Sequence, residues 1–211
     1  QGRRFLTDKR VIVPRSPIAE LIIQEELAPW VQDSKKPMRM LNMCTGSGCL
    51  AILMALTFPN STVDAADISE YAILLAQRNV AMYKLEDRVK VIESDLFKSL
   101  DAQNKYDVII CNPPYVTTQS MRRLPDEYRH EPAIALHGGD DGMAIVRKVL
   151  KQAPKYMNDG AFMILEIGSN MEYFYKAFPD LEPIFLETEL DPSIILLLTK
   201  EQLLKFKDSN K

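Results

Sequence analysis

From Met38 onward, short apolar runs alternate with stretches of helical spacing, and this alternation leaves few folds open. The strand-like runs are Met38–Cys44, Thr62–Ala66, Val89–Glu93, Tyr106–Cys111, Ala161–Ile167 and Ser193–Leu198. Between them, Gly48–Phe58, Ser69–Tyr83 and Gly142–Tyr156 carry helical periodicity. Neighbouring residues of a strand point to opposite faces, so a continuously apolar run belongs in a sheet covered on both sides. Strands of this kind separated by helices predict an α/β domain with a parallel sheet. Sheets of that class bind ligands beyond the carboxyl ends of their strands, which directs attention to those ends. Ser69 is well placed as a helix N-cap, with Ala72, Leu75, Ala76 and Val80 on one face behind it.

The segment ahead of Met38 reads differently. Residues 1–17 are basic, and Val11-Ile12-Val13 runs into Pro14 and Pro17, predicting an extended arm or small hairpin outside the core. Apolar residues at 18, 21, 22 and 27 predict an amphipathic helix over Ile18–Trp30, followed by a polar loop, Asp33–Pro37. Residues 1–37 thus form an arm and helix leading into one domain, 38–211. A chain of 211 residues suits one domain with a substantial core. Tyr173, Phe174, Tyr175 and Phe178 read as a helix packing on the sheet rather than as a stacking platform.

Composition removes several functions. With 46% hydrophobic and 26% charged residues, the chain is an ordinary globular one. A net charge of −3 gives no general attraction to nucleic acid or anionic membrane, so no duplex-DNA partner is expected. The longest apolar run, Cys49–Leu56, is far shorter than the ~18 residues of a membrane span, and no signal peptide opens the sequence. Cys44, Cys49 and Cys111 lack the paired spacing of a zinc site, so no metal is expected, and an odd number of buried thiols suits a reducing compartment. A cytoplasmic protein with no membrane association is the expectation.

The first core run ends in Asn42-Met43-Cys44-Thr45-Gly46-Ser47-Gly48 and passes at once into an apolar helix. Two glycines there permit a tight turn and close backbone approach to a ligand, and the helix start offers free N–H groups. A dinucleotide fingerprint would need glycine where Ala51 stands, and no Gly-Lys-Ser/Thr follows to make a phosphate-binding loop. The second run ends in Asp67, about 20 residues beyond the turn and placed to hold ribose hydroxyls. The third is followed by Asp95, able to accept from an exocyclic adenine amine, and by Leu96, able to line one face of the ring. Either acid alone is as well read as a helix cap or turn former. Two acids at successive strand ends, beside a glycine turn, favour an adenosine ligand.

The fourth run ends in Asn112-Pro113-Pro114-Tyr115. A proline pair can simply stop a strand, because proline has no N–H for the ladder. That accounts for the prolines but not for the Asn before them or the Tyr after them. An amide or aromatic amine nitrogen is a poor nucleophile because its lone pair is delocalised. To accept a methyl group its N–H bonds must be held so that the lone pair turns toward the donor. The Asn112 side-chain oxygen can accept one N–H and the Pro113 carbonyl the other. Pro113 and Pro114 stiffen the backbone that carries these acceptors, and Tyr115 offers a flat face for a planar group. A sulfonium methyl donor brings its own reactivity, so neither metal nor strong base is needed.

In this order, the glycine turn, the two acids and Asn-Pro-Pro-Tyr resemble the amino-methyltransferases of the Rossmann-like class. Within that class, the chain is similar to the protein-glutamine methyltransferases. One branch of these methylates a glutamine of release factors and the other a glutamine of large-subunit ribosomal protein three. Pro14–Leu21, Leu41–Cys49 and Leu124–Pro132, with Tyr128-Arg129-His130-Glu131-Pro132 as the most specific stretch, are similar to the ribosomal-protein branch; Gly138–Gly142 is common to both.

The resemblance implies a mostly parallel seven-stranded sheet with helices on both faces. It implies S-adenosylmethionine held by Cys44, Thr45, Gly46, Ser47, Gly48, Asp67, Asp95, Leu96 and Asn112. Catalysis would fall to Asn112, Pro113, Pro114 and Tyr115, with a ribosomal protein as substrate. The family usually carries Asp where Asn42 stands, which removes a charge near the cofactor turn, and its members carry an N-terminal helical domain ahead of Gly2-Arg3-Arg4-Phe5 that this sequence lacks.

The lone His130 reads as structural or substrate-positioning and Glu131 as the partner of a nearby basic residue. Two competing functions are a DNA or RNA amino-methyltransferase, which would flip its base into the same pocket, and a non-catalytic adenosine-binding module. The acidic chain has no separate basic region for gripping DNA, and the intact Asn112–Tyr115 argues against the second.

Overall fold

The computed structural model describes residues 2–24, 26–189 and 193–205. Gln1 of the arm and residues 206–211 of the domain lie outside the described residues. Seven strands form one sheet: β1 (Arg39–Met43), β2 (Thr62–Asp67), β3 (Val89–Glu93), β4 (Tyr106–Cys111), β5 (Met157–Gly168), β6 (Ile184–Leu186) and β7 (Ile194–Thr199). Their order is β3-β2-β1-β4-β5-β7-β6. The first five pair in parallel, and β7 runs antiparallel between β5 and β6. This is the Rossmann-like arrangement that the resemblance implies.

The central apolar runs are buried on both faces, as their composition requires, while β3 at the sheet's edge is only partly covered. Met40, Val108, Ile110 and Ile164 join one core with Ile18 and Ile22 of α1 (Ile18–Ile23) and Ile52 of α2 (Cys49–Thr57). Their neighbours Leu41, Ile109, Cys111 and Met163 join the other, with Val146 and Val149 of α6 (Ala144–Gln152) and Phe174 of α7 (Met171–Ala177). Strand periodicity thus sends consecutive residues into different cores. Two short helices, α4 (Thr118–Met121) and α5 (Ala133–Leu136), lie in the connection after β4, and α3 (Glu70–Met82) joins β2 to β3. Ser69 caps α3, its hydroxyl accepting from the Ala72 N–H.

Three expectations need correction. The helix from Ile18 ends at Ile23, not Trp30: the Glu26 N–H turns back to the Leu21 carbonyl, and a following turn buries Leu27 instead. The helix over Gly142–Tyr156 is α-helical only through Gln152 and tightens to a 3-10 turn at Ala153–Tyr156, because Pro154 has no N–H to continue the ladder. The arm is not outside the core: Val11 is buried against Ala72 and Leu75 of α3, and no hairpin forms. The aromatic cluster is, as expected, a helix packing on the sheet: Phe174 and Phe178 are buried in the core, with Tyr173 and Tyr175 exposed.

The sheet's chain order reverses between β1 and β4. Strands built outward from the centre in opposite directions leave a crevice at that switch point, beyond their carboxyl ends. The glycine turn leaves β1 there and Asn112 leaves β4 there, so topology brings together two motifs far apart in sequence.

Candidate active site

One cavity of about 400 Å³ opens at the switch point, within the ~300–1,000 Å³ range of small-molecule sites. Cys44, which borders it, takes left-handed backbone at φ 55°, and Gly48, at the start of the helix behind the turn, does so at φ 80°. A side chain at Gly48 would lie 3.1 Å from Ala76 Cβ, so glycine lets α2 start hard against α3. Asn42 is fully buried beneath the turn. Its Oδ1 accepts from the Thr45 hydroxyl at 2.6 Å and its Nδ2 donates to the Ile110 carbonyl at 3.4 Å. An aspartate here would offer no proton to Ile110, so the amide ties the turn to β4 at the expense of one charge.

Asp67 at the tip of β2 fastens the turn from the other side. One carboxylate oxygen accepts from the Gly46 N–H at 2.8 Å, the other from the Ser69 N–H at 3.0 Å, and the side chain borders the cavity. Burial raises its pKa above the usual carboxylate range, against the opposing pull of the backbone N–H groups. Ser94 donates its N–H to the Asp67 carbonyl, which carries the neighbouring strand end alongside. Leu96 borders the cavity with left-handed backbone at φ 52°, an uncommon conformation for a bulky residue and one that gathers at ligand sites. Asp95 also borders it, but its side chain is well exposed and pairs with Lys98 at 2.5 Å, which holds its pKa low.

The second wall is the Asn112–Tyr115 segment. Asn112, Pro114 and Tyr115 border the cavity, whereas the Pro113 ring is buried behind them. Among the described residues nothing hydrogen-bonds the Asn112 side chain. Tyr115 is fixed at three points. Its hydroxyl donates to Glu166 Oε1 at 2.7 Å, its carbonyl accepts from Asn170 Nδ2 at 2.7 Å, and its ring covers Gly168. Pro114 and Tyr115 also press on Gly138 and Gly142, where a Cβ would meet their backbone at 2.6 Å and 2.3 Å. The glycines of the Gly138–Gly142 stretch thus pack the segment closely from behind.

All the residues expected at the site except Gly48 and Pro113 border this one cavity. Among those missed in sequence, Arg10–Ser16 of the arm and Pro132, Ile134 and Ala135 line one side, which we call its roof, and Glu166 and Lys148 also border it. Glu131 joins the two halves of the roof, accepting from Arg15 at 2.6 and 2.7 Å and from the Val13 N–H at 3.1 Å, while Arg15 lies over the Tyr128 ring. The basic partner expected for Glu131 is therefore Arg15. The side chains at 127 and 129 of the same stretch lie outside the described residues. His130 does not border the cavity. The Cys44 thiol is pushed up by its contact with Cys111 and by burial, and Cys49 by burial, which keeps both protonated and unsuited to nucleophilic chemistry.

One cavity is thus bordered both by the Asp67 carboxylate and by the Asn112 amide. Residues 27–126 match the methyltransferase small domain family. The ribosomal protein uL3 glutamine methyltransferase of Bordetella pertussis is 56% identical over 203 residues, 96% of this chain and 67% of that protein. The chain belongs to the ribosomal protein uL3 glutamine methyltransferase family. A member from Francisella tularensis is 40% identical across 100% of the chain and 66% of its own length. The chain thus spans about two thirds of the length of these relatives. Among solved structures, a methyltransferase from Pyrococcus furiosus aligns with a TM-score of 0.64 at 18% identity, covering 93% of this chain and 88% of that one. The hMettl16 catalytic domain aligns at 0.66 and 16% identity, covering 94% and 76%. At these identities the two structures speak to the fold alone. The ribosomal-protein branch read from residues 14–21 and 124–132 is thus the one to which the chain belongs.

Removing the Asp67 carboxylate is expected to weaken S-adenosylmethionine binding by ~1.5–3 kcal/mol, about tenfold or more. Calorimetry on Asp67→Ala measures this. Because burial raises the pKa of Asp67, a ligand needing the ionised form should bind wild type less tightly as pH falls toward that raised value, and the variant should lose the dependence. Equal affinity in the two proteins would remove Asp67 from the site.

Proposed function

We propose that the chain transfers a methyl group from S-adenosylmethionine to the side-chain amide nitrogen of a glutamine in ribosomal protein uL3. The observation that carries this reading is a single cavity bordered by both the glycine turn with Asp67 and the Asn112–Tyr115 wall. The residues fit the cofactor: Asp67 faces the cavity as a ribose acceptor, Leu96 offers an apolar face to the base, and Asp95 stands beside it for the exocyclic amine. S-adenosylmethionine supplies a methyl group already activated on a sulfonium.

The remaining work is orientation. Asn112 Oδ1 would accept one N–H of the substrate amide and the Pro113 carbonyl the other, which turns the nitrogen lone pair toward the turn at Cys44–Gly48; as the N–C bond forms and the S–C bond breaks, one of these two N–H protons is released along its acceptor to solvent. Tyr115 supports the amide plane from the side. Buried packing behind Pro113 and Pro114 holds these acceptors before substrate arrives, so little ordering remains at the moment of reaction. Bound arm and loop segments shield the site from water, which strengthens each of these hydrogen bonds.

The branch to which the chain belongs supports uL3 as the acceptor, and a ribosomal-protein substrate would place the enzyme in the cytoplasm. Among the described residues no helix is long and apolar enough to cross a membrane. The test is a competition in one tube with labelled cofactor, unmethylated uL3, a release factor and duplex DNA. Label on a uL3 glutamine is expected. Label chiefly on the release factor would move the substrate to the sister branch, and label on DNA would overturn a protein acceptor.

A further inference from the structure

Glu166 stands within an otherwise apolar stretch of β5 and is 2% exposed, yet it borders the cavity. A carboxylate buried at such a place costs desolvation that an apolar residue would avoid. Its surroundings show what offsets that cost. Tyr115, on the wall facing the substrate, donates its hydroxyl to Oε1 at 2.7 Å. Ser16, in the arm that roofs the cavity, donates its hydroxyl to Oε2 at 2.5 Å. The same Ser16 oxygen accepts from the Ile18 N–H at 3.3 Å, at the start of α1, so the arm's exit into the core is fixed at this point. Between Glu166 and Gly168 the pairing of β5 with β7 shifts register, an irregularity of the kind common beside active sites. One carboxylate therefore joins three segments that are remote in sequence.

We propose that Glu166 is a positioning residue for methyl transfer, holding the Tyr115 ring against the acceptor amide and locking the arm over the cavity through Ser16. The inference rests on the function proposed above. Hydrogen bonds to an ionised oxygen are roughly twice as strong as those between neutral groups, so the charge sets how firmly Tyr115 is held. Glu166→Gln keeps the shape but offers Tyr115 only a neutral acceptor and faces Ser16 with a donor.

Wild type is first assayed on uL3, and a lack of transfer there counts against the proposed function and not against Glu166. With wild type active, Glu166→Gln should lower kcat by about tenfold to a hundredfold, the scale of a small misplacement of reacting groups. Its affinity for S-adenosylmethionine, measured by calorimetry, should change by less than about threefold, because Tyr115 faces the acceptor. A kcat equal to wild type in the folded variant overturns the proposal. A second measurement needs no change at 166. Ser16→Ala and Tyr115→Phe lie in different segments joined through one carboxylate, so their effects on kcat should be non-additive by about threefold or more. Strict additivity would show that Glu166 does not couple them and would also overturn it.

Discussion

Asn112→Ala should reduce transfer to uL3 on the order of a hundredfold to a thousandfold, the loss typical of removing one oriented hydrogen-bonding group from a reaction site. Binding of S-adenosylmethionine should hardly change. The reason lies in the geometry: the Asn112 side chain faces the cavity beyond the turn and Asp67, and nothing among the described residues hydrogen-bonds it. An amide with no partner of its own is available to a second molecule. Rates at saturating cofactor separate the two roles, since an orienting group acts on kcat while a cofactor ligand acts first on affinity. Transfer by Asn112→Ala at the wild-type rate would sink the proposed mechanism.

Why Asn112 was legible in the sequence, and other parts of the site were not, comes down to the range of the interactions. The runs that became β4, β5 and β7 announce themselves because each is apolar on consecutive positions, a demand that only burial on both faces meets, while β3, Val89–Glu93, shows itself by alternation with Lys90 instead. Three-residue β6 has no such signal, since Ile184 and Phe185 are largely exposed at the sheet's edge. The residues placed by strand ends, such as Asp67 and Asn112, inherit their position from the sheet and could be found by counting along the chain. The arm could not. Val11 is buried because α3 presents Ala72 and Leu75 to it, and Val13 is held by Glu131, 118 residues away. Nothing local in Val11-Ile12-Val13 encodes either partner. Glu166 was passed over as part of a strand, although an acid inside Ala161–Ile167 was itself a signal: charge in a doubly covered strand needs a partner or a purpose. The helix ends at Ile23 and Gln152 are not marked by apolar spacing, which continues past both; at the second it is Pro154, lacking an N–H, that interrupts the hydrogen bonding.

Substituting Gly142 by alanine should cost nearly as much activity as losing Asn112, though Gly142 touches neither substrate nor cofactor. Gly142 sits at φ 75°, where an L side chain costs ~1–2 kcal/mol in backbone strain. Its added Cβ would also lie 2.3 Å from the Tyr115 carbonyl and 2.8 Å from Asn170 Nδ2, the two atoms of the hydrogen bond that pins Tyr115. Neither neighbour is the free end of a flexible chain, so one of two things must yield. If the segment holds, the overpacked site loses a further ~1–3 kcal/mol of folding stability. If the segment moves, Tyr115 and the acceptors beside it shift, and a displacement near 1 Å is enough to slow an oriented reaction about a hundredfold. Gly160→Ala separates strain from collision, because Gly160 has φ 74° with nothing within 4 Å of its added Cβ. It should lose only the strain energy and keep the wild-type rate. Thermal melts and single-turnover rates on both variants distinguish the cases. A Gly142→Ala protein that folds and methylates uL3 as fast as Gly160→Ala would show that the placement of the Asn112–Tyr115 wall does not limit the reaction.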